Sequence, residues 1–246
     1  MKVIASYNIK GGVGKTAAAV NLSYLAAGEG ASTLVWDLDP QGAASFYFRI
    51  KPKIQMGGKG LFRRKRALER VIKGTDFPNL DLIPADFSYR NMDLILEGLR
   101  NPQNRIRKLL KPMAREYDYV FIDCPPSISL VSENVFKAAN ILLVPTIPTT
   151  LSLRTLDQLV TFIAKRGYRN FTLLPFFSMV DRRKNIHRLI TKHRPMGMGK
   201  FLDSTIPYAS IVERMGTERA PLEVYARSSP AAGAFRSLWL ELKTRL

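Results

Sequence analysis

Short apolar runs alternate with amphipathic stretches along most of this chain. The runs lie at residues 3–5, 33–36, 80–84, 119–122, 141–144 and 172–177, and only the third contains a charged residue, Asp81. Continuous apolar runs of this length are typical of strands that are covered on both faces. Between the runs, apolar residues recur at helical spacing, most clearly over 17–27, 88–98, 103–116, 152–166 and 231–246. This alternation favours an α/β fold.

A glycine-rich loop separates the first apolar run from the first helical stretch. Its sequence is Lys10-Gly11-Gly12-Val13-Gly14-Lys15-Thr16. Glycines let backbone N–H groups approach an anion closely, and a helix that begins at about Lys15 points its positive dipole end at the same place. In such a loop the lysine reaches the β- and γ-phosphates and the threonine hydroxyl holds Mg²⁺. The loop therefore predicts a phosphate site at Lys15 and Thr16.

Carboxylates follow two of the predicted strands. Asp37 and Asp39 come directly after residues 33–36, and Asp123 ends the run at 119–122. Ligands of open parallel sheets bind at the carboxyl ends of the strands, so these carboxylates are expected beside the phosphate loop. Asp123 has the Walker B pattern and would lie beside Mg²⁺. An aspartate at a strand end is also a common turn or helix cap, and that alternative stays open for Asp37 and Asp39.

Length and cysteine usage limit the architecture and the compartment. The 246 residues can form one large α/β domain or two small ones, and we expect one domain over 1–246 with an irregular, basic surface excursion at about 51–79. The lone Cys124 excludes a disulfide framework and is expected to be buried and unreactive. The chain starts with a core strand rather than a leader, and no apolar run approaches the ~20 residues of a membrane span. We therefore expect a cytoplasmic protein.

The charge of the chain indicates a polyanionic partner. Lys and Arg number 38 against 20 Asp and Glu, a net charge of +18. Residues 49–73 hold ten cations and one acid, and residues 182–200 hold seven cations and no acid. This clustering of cations argues against a uniformly basic, merely solvated surface. It favours nucleic acid as the first candidate partner and an anionic membrane as the second. For 51–79, contact with DNA, contact with an acidic partner and simple solvation stay equally open. After 182 we expect a basic helix with Ile186, Leu189 and Ile190 facing the core.

Several motifs, in order, carry a resemblance to one family. The common GxxxxGK[ST] loop places a glycine where this chain has Ile9, whereas KGGVGKT with its additional lysine is the deviant Walker A form. DLDPQG at 37–42, Asp-Cys-Pro-Pro at 123–126 and Ile-Pro at 206–207 follow in the same chain. Together they resemble the ParA/MinD family over nearly the whole length. The resemblance implies a single-domain P-loop NTPase with a mostly parallel twisted sheet and helices on both faces.

The resemblance assigns roles in an ATP- and Mg²⁺-dependent ATPase with slow intrinsic turnover. Two subunits sandwich two ATP molecules, and Lys10 crosses to the partner's nucleotide while Lys15 serves its own. Asp39 orients the attacking water, and Asp37 holds the loop or the metal shell. The resemblance assigns Mg²⁺ binding to Thr16, Asp39 and Asp123. The residues that it assigns to nucleotide binding are Gly11, Gly12, Val13, Gly14, Lys15, Thr16, Ala17, Pro207 and Ala209.

Partners also follow from the resemblance. The short type without a winged-helix domain before the loop binds double-stranded DNA nonspecifically as an ATP-bound homodimer, is nucleoid-associated in prokaryotes, and responds to a ParB-like or cargo-adaptor protein. The cargo can be a plasmid, a chromosome or a protein organelle such as a carboxysome. Two departures are Ala17 in place of a second threonine and Tyr208 in place of a DNA-binding arginine, for which Arg214, Arg219, Arg227 and Arg236 are candidate substitutes. The predicted DNA contacts are Arg182, Arg183, Lys184, Arg188, Lys192, Arg194, Lys200, Arg214 and Arg219.

Simple sequence features distinguish this chain from some other classes of protein that share the same fold. A MinD-like membrane-cycling ATPase anchors through a C-terminal amphipathic helix, but residues 231–246 carry few cations and predict a core-packed helix, with Phe235, Leu238, Trp239 and Leu242 on one face. We therefore expect no membrane partner. Iron-sulfur relatives need paired cysteines, which one Cys per chain cannot supply. Phosphotransfer to a small substrate stays open.

Overall fold

The described strands form one sheet. The computed structural model describes residues 1–63 and 67–246. Along the sheet the strands run in the order β3-β4-β2-β5-β1-β6-β7-β8, and all neighbours are parallel except β3, which is antiparallel to β4. The strands are β1 (Lys2–Ser6), β2 (Thr33–Asp37), β3 (Lys73–Gly74), β4 (Leu80–Ile83), β5 (Tyr119–Asp123), β6 (Ile141–Thr146), β7 (Thr172–Val180) and β8 (Thr205–Pro207).

Helices connect the strands. They are α1 (Lys15–Gly28), α2 (Ala43–Tyr47), α3 (Gly57–Arg63), α4 (Met92–Glu97), α5 (Arg105–Leu110), α6 (Leu130–Ala138), α7 (Thr150–Arg166), α8 (Asn185–Lys192), α9 (Ser210–Glu213), α10 (Met215–Glu218), α11 (Leu222–Tyr225) and α12 (Pro230–Lys243). Short 3₁₀ turns occupy Leu68–Arg70, Phe87–Asn91, Pro102–Asn104 and Lys111–Arg115.

Alternate residues of the central strands pack into opposite layers. In β1, Val3 and Ala5 belong to one apolar cluster and Ile4 to the other. The first cluster takes its helical residues from α3 to α7, and the second takes them mainly from α1 and α12. Burial on both faces is what requires the continuous apolar runs of the central strands. The predicted fold class, a mostly parallel sheet with helices on both faces, is confirmed.

The six apolar runs all became strands, but the helix predictions need corrections. The stretch 103–116 is not one helix: α5 ends at Leu110, and a 3₁₀ turn with Pro112 in its first turn follows. Proline at that position cannot continue the regular α-helical hydrogen bonding. The stretch 88–98 is a 3₁₀ turn over Phe87–Asn91 followed by the short α4. The helices that were not predicted are α2, α3, α6, α9, α10 and α11.

The basic excursion at 51–79 is not only a surface segment. Leu61 and Phe62 of α3 are fully buried, and Phe62 stacks on Trp36 of β2 with ring centroids 6.1 Å apart. Ala67 and Leu68 are buried as well. Three cations of the predicted basic run, Arg64, Lys65 and Arg66, lie outside the described residues. The segment therefore closes one end of a core layer while its described lysines and arginines stay exposed.

The C-terminal helix packs in the core as predicted. Phe235, Leu238, Trp239 and Leu242 of α12 are buried. Trp239 meets Tyr119 edge to face, with ring centroids 5.4 Å apart. Over the described residues, no helix combines the length and the apolar character that a membrane span requires.

Candidate nucleotide site

Strand register brings the predicted carboxylates together at the carboxyl edge of the sheet. Asp123 of β5 pairs in register with Ser6 of β1 on one side and with Asp37 of β2 on the other. Neighbouring strands lie ~4.8 Å apart, so the two carboxylates are adjacent. The loop from β1 to α1 leaves the same edge, next to both of them.

Two glycines shape the loop before α1. Gly12 and Gly14 have φ of 68° and 94°, in the left-handed region that favours glycine. A Cβ on Gly14 would lie 2.8 Å from the Ser178 hydroxyl oxygen. The loop is fixed from below because the Ser6 hydroxyl donates to the Lys15 carbonyl at 2.8 Å. The backbone of the loop therefore passes close to β7 at Gly14.

The two lysines of the loop point to different places. Lys15 is buried, and its amine donates to the Lys10 carbonyl at 3.1 Å. Burial lowers the pKa of Lys15, while Asp123 opposes that shift. The Lys10 amine instead donates to the Ser152 hydroxyl at the start of α7, at 3.3 Å. Lys15 therefore serves the cavity of its own chain, and Lys10 is directed away from it.

Asp37 acts as an anchor for the loop that follows β2. One of its carboxylate oxygens accepts from the backbone N–H and the hydroxyl of Ser45, both at 2.8 Å. The Ser45 hydroxyl in turn accepts from the Ala85 N–H at 2.9 Å. Asp37 thus caps α2 and ties it to the segment after β4. This contact fits the expected loop-holding role.

Asp123 is the carboxylate best suited to a cation. It is fully buried, and neither of its oxygens has a hydrogen-bond partner among the described residues. Burial raises the pKa of the Asp123 carboxyl well above its ordinary value and nearby Asp37 adds to the rise, whereas Thr16 and Lys15 lower it. Unpaired oxygens of this kind carry a large desolvation cost that a bound cation offsets. The residues present therefore fit Mg²⁺.

A cavity of about 390 Å³ opens over the loop. Eight of the nine residues predicted to contact nucleotide line it, together with Asp39. Val13 is the exception, because its side chain is fully buried behind the loop. Asp39 is half-buried and accepts from the Gln41 N–H at 2.9 Å. The lining residues that were predicted are Gly11, Gly12, Gly14, Lys15, Thr16, Ala17, Asp39, Pro207 and Ala209.

The remaining wall of this cavity comes partly from two motifs that carry the family resemblance and partly from residues that the sequence did not indicate. Tyr47 of α2, Pro126, and Ser178 with Met179 of β7 line it, as do Tyr208 and Val212 near β8. Met179 has φ of 54°, at an irregularity in the pairing of β7 with β8. Pro126 and Tyr208 lie in or directly after the segments Asp123-Cys124-Pro125-Pro126 and Ile206-Pro207, whereas Tyr47, Ser178 and Met179 had no sequence signal. Cys124 itself is buried, and burial raises the pKa of its thiol well above the ordinary value.

Helix α8 carries the first group of predicted DNA contacts, with one correction. Ile186 and Leu189 are 46% and 49% exposed rather than turned to the core. The buried side chain is His187, whose Nδ1 accepts from the Asp181 N–H at 3.0 Å. The described side-chain contact that holds α8 is therefore polar, and Ile186 and Leu189 stay exposed. Arg182, Arg183, Lys184, Arg188, Lys192 and Lys200 are exposed.

Several other predicted cations are held by acids or carbonyls. Arg194 follows the end of α8 and pairs with Asp203 at 2.5 Å, so it does not share a helix face with Arg188. Arg214 pairs with Glu218 at 2.6 Å. Arg219 donates to the Phe46 carbonyl at 3.1 Å and is half-buried. Arg227 and Arg236 both pair with Glu223.

A strand, a glycine-rich loop and a helix N-terminus next to two strand-end carboxylates define a P-loop nucleotide-binding α/β protein. A family described as an AAA domain matches residues 1–172. The chromosome partitioning protein ParA of Myxococcus xanthus is 30% identical over 250 residues, covering 99% of this chain and 88% of the relative. The chain belongs to the ParA/MinD family of P-loop ATPases. Enzymes of the P-loop class hydrolyse ATP with Mg²⁺.

Solved structures share the fold. A plasmid partition protein of Borrelia burgdorferi bound to AMPPNP has a TM-score of 0.84 at 20% identity, covering 100% of this chain and 99% of that one. A cobyrinic acid a,c-diamide synthase of Mycobacterium smegmatis with bound ADP and magnesium has a TM-score of 0.81 at 23% identity, covering 98% and 94%. These likenesses support the fold and leave the biological role to other observations.

Proposed function

We propose that this ATPase closes as an ATP-bound homodimer, binds double-stranded DNA without sequence preference, and positions or segregates a cargo. The observation that carries the proposal is the division between the two loop lysines. Lys15 lines its own nucleotide cavity, whereas the Lys10 amine lies on Ser152, outside it. A lysine at the rim is available to a nucleotide held by a second subunit.

Residues of this chain supply the parts that hydrolysis requires. Bound Mg²⁺ would be held by Thr16 and Asp123, with Asp39 nearby, and would neutralise charge on the phosphates. Asp39, at the cavity wall, orients a water for attack, while Asp37 fixes the loop through Ser45. Backbone N–H groups of the loop and Lys15 stabilise negative charge as it develops. Partner-stimulated hydrolysis then opens the dimer.

Exposed cations near the same edge of the sheet support DNA as the polyanion. Among the described residues, Arg182, Lys184 and Lys192 are exposed and make no ion pair, next to the end of β7. Dimerisation doubles such contacts, so retention on DNA should depend steeply on nucleotide state and salt. The names of the relatives, chromosome and plasmid partition proteins, support a ParB-like or cargo-adaptor partner.

Retention on nonspecific duplex DNA, measured with and without ATP and Mg²⁺, tests the proposal. We expect ATP to raise retention of the wild type at least tenfold, Lys15→Gln to abolish that gain, and Asp39→Ala to prolong it by blocking release. Lys165→Gln, which removes an exposed lysine at the end of α7, is the matched control and should behave as wild type. Equal retention with and without ATP would contradict the proposal.

A second candidate is a membrane-cycling ATPase. The expected anchor, α12, buries its apolar face, which weighs against it. The observation in its favour is α8, where exposed Ile186 and Leu189 stand beside Arg188 and Lys192, as in a short interfacial helix. Flotation with anionic liposomes separates the two. ATP-dependent flotation that Ile186→Ser abolishes would favour the membrane role, and ATP-dependent DNA retention without flotation would favour the first.

A further inference from the structure

A second basic surface lies at the opposite side of the molecule from α8. A cleft of about 880 Å³ is lined by residues from 50–56 and 70–74, on either side of α3. Four of these residues are exposed cations. None of the four makes an ion pair with any residue that the structure describes. They are Lys51, Lys53, Arg70 and Lys73.

Three acidic side chains near the cleft have partners of their own. Asp76 pairs with Arg49 at 3.5 Å. Asp86 accepts from the Ile54 N–H at 2.7 Å, and Asp81 accepts from the Tyr117 hydroxyl at 2.7 Å. Among described residues, no carboxylate lines the cleft itself. The four cations therefore outnumber the nearby acids, although Asp86 lies close enough to Lys53 to interact with it and Glu69 precedes Arg70 in the chain.

The cleft lacks the apolar anchors of other partner classes. Of the apolar residues that line it, Ile54 and Val71 are buried and Ile50 and Met56 are half-buried, and no large hydrophobic side chain of the described residues 50–63 and 67–74 is fully exposed. Protein interfaces are centred on buried aromatic or aliphatic anchors, and membrane-surface helices need an exposed apolar face. A phosphodiester backbone needs only cations and amides.

Sheet topology separates this cleft from α8. Strand β3 is at one edge of the sheet, whereas β7 and β8, beside α8, are at the other. At ~4.8 Å per neighbouring strand, the two edges of an eight-stranded sheet are about 34 Å apart. The cleft is therefore a different surface and not an extension of the predicted DNA contacts on α8.

We propose that the β3-edge cleft binds the phosphodiester backbone of nucleic acid, without reading bases, as a second contact surface of each subunit. This inference deepens the proposed function and rests on its nucleic-acid partner. Each phosphate contact releases counterions, so each lysine or arginine that contributes should steepen the salt dependence of binding by about 0.9 in log–log slope.

The test compares wild type with two variants of equal charge loss. One replaces Lys51, Lys53, Arg70 and Lys73 by Gln. The control replaces four exposed cations of α5 and the turn that follows it, Arg107, Lys108, Lys111 and Arg115, by Gln. Affinity for a 24-base-pair duplex of arbitrary sequence is measured from low to high salt at fixed nucleotide. Circular dichroism checks that each variant is folded.

The inference expects the slope to become shallower by about 1 to 4 in the cleft variant and by less than 1 in the control. A cleft variant with the wild-type slope, or a control that loses as much, would overturn it. Failure of the proposed function is seen separately, in wild type alone, as DNA binding that does not respond to ATP. The cleft comparison stays decisive in that case because it is made at one nucleotide state.

Discussion

Position 14 requires glycine because the backbone of the phosphate loop is left-handed there and passes close to β7. Its φ is 94°, and an added Cβ would meet the Ser178 hydroxyl oxygen at 2.8 Å. Left-handed backbone at a residue with a Cβ costs ~1–2 kcal/mol, and the contact adds to that. We expect Gly14→Ala to weaken ATP binding at least tenfold and to lower the free energy of unfolding by about 1–3 kcal/mol. Titration with a fluorescent ATP analogue and urea denaturation measure the two effects.

Substitutions at two other glycines distinguish the cost of backbone strain from the cost of the contact with Ser178. Gly12 has φ of 68° but nothing within 4 Å of an added Cβ, so Gly12→Ala should show only the backbone cost of ~1 kcal/mol. Gly28, at the end of α1, is equally open and has no left-handed φ, so Gly28→Ala should be neutral or slightly stabilising. Equal losses at Gly12 and Gly14 would show that Ser178 does not matter.

Lys10 and Lys15 should differ when each is replaced by alanine. The hypothesis of a shared site follows from their contacts, since the Lys10 amine rests on Ser152 and the Lys15 amine on the loop. Lys15→Ala should abolish nucleotide binding. Lys10→Ala should leave monomer binding within about threefold of wild type and reduce ATP-dependent dimerisation and hydrolysis at least tenfold. Analytical ultracentrifugation and phosphate release distinguish these. An equal loss of all three properties in Lys10→Ala would contradict the shared site.

At the scale of elements, α2 is held by one buried serine. Ser45 donates twice to Asp37 and accepts from the Ala85 N–H. Ser45→Ala would leave the Ala85 N–H without a partner and would leave the Asp37 oxygen with only the backbone N–H of residue 45, at a cost of about 1–3 kcal/mol. Urea denaturation measures it. Ser237→Ala removes an exposed hydroxyl on α12 and should change stability by less than ~0.5 kcal/mol. A Ser45→Ala variant as stable as that control would show that the Ser45 hydroxyl does not contribute to holding α2.

Helix α8 should loosen in acid. His187 accepts the Asp181 N–H, and burial and Lys184 lower the pKa of His187 while Asp181 raises it. A pKa below the unfolded value of about 6.5 means that the bond contributes fully above that pH and is lost as pH falls. Hydrogen exchange of α8 amides, corrected for intrinsic rates, should be several-fold faster at pH 5.5 than at pH 7.5. His187→Gln should remove that response and His193→Gln, at the exposed histidine, should keep it.

Elements were predictable where one local pattern decided them. The six strands follow from uninterrupted apolar runs, and the phosphate loop is contiguous in sequence. Helix α6 was missed because it buries Glu133 and Asn134, which bond to Gln103 and to the Arg105 N–H and so break the apolar period. Helix α3 was missed because three of its seven residues are glycine. Ser178 and Met179 reach the cavity only through an irregular pairing of β7 that no local pattern encodes.

At the scale of the whole molecule, both layers share one sheet, and each contains one tryptophan. Trp36 belongs to the cluster under α3 to α7, and Trp239 to the cluster under α1 and α12. Because β1, β2, β5 and β6 each contribute residues to both clusters, neither layer can lose its packing without exposing the other face of these strands. The expectation of one domain over 1–246 therefore predicts that the two layers unfold together in one cooperative transition.

Two single-tryptophan variants test that cooperativity. Trp36→Phe leaves Trp239 as the only tryptophan, and Trp239→Phe leaves Trp36, since the chain has two. Each replacement keeps a ring but removes packing, so the two variants will differ from wild type in stability, by up to ~3 kcal/mol. Within each variant, the urea midpoint from tryptophan fluorescence should coincide with the midpoint from far-ultraviolet circular dichroism. Separated midpoints in either variant would mean that the two layers unfold independently, and the chain would then comprise two folding units.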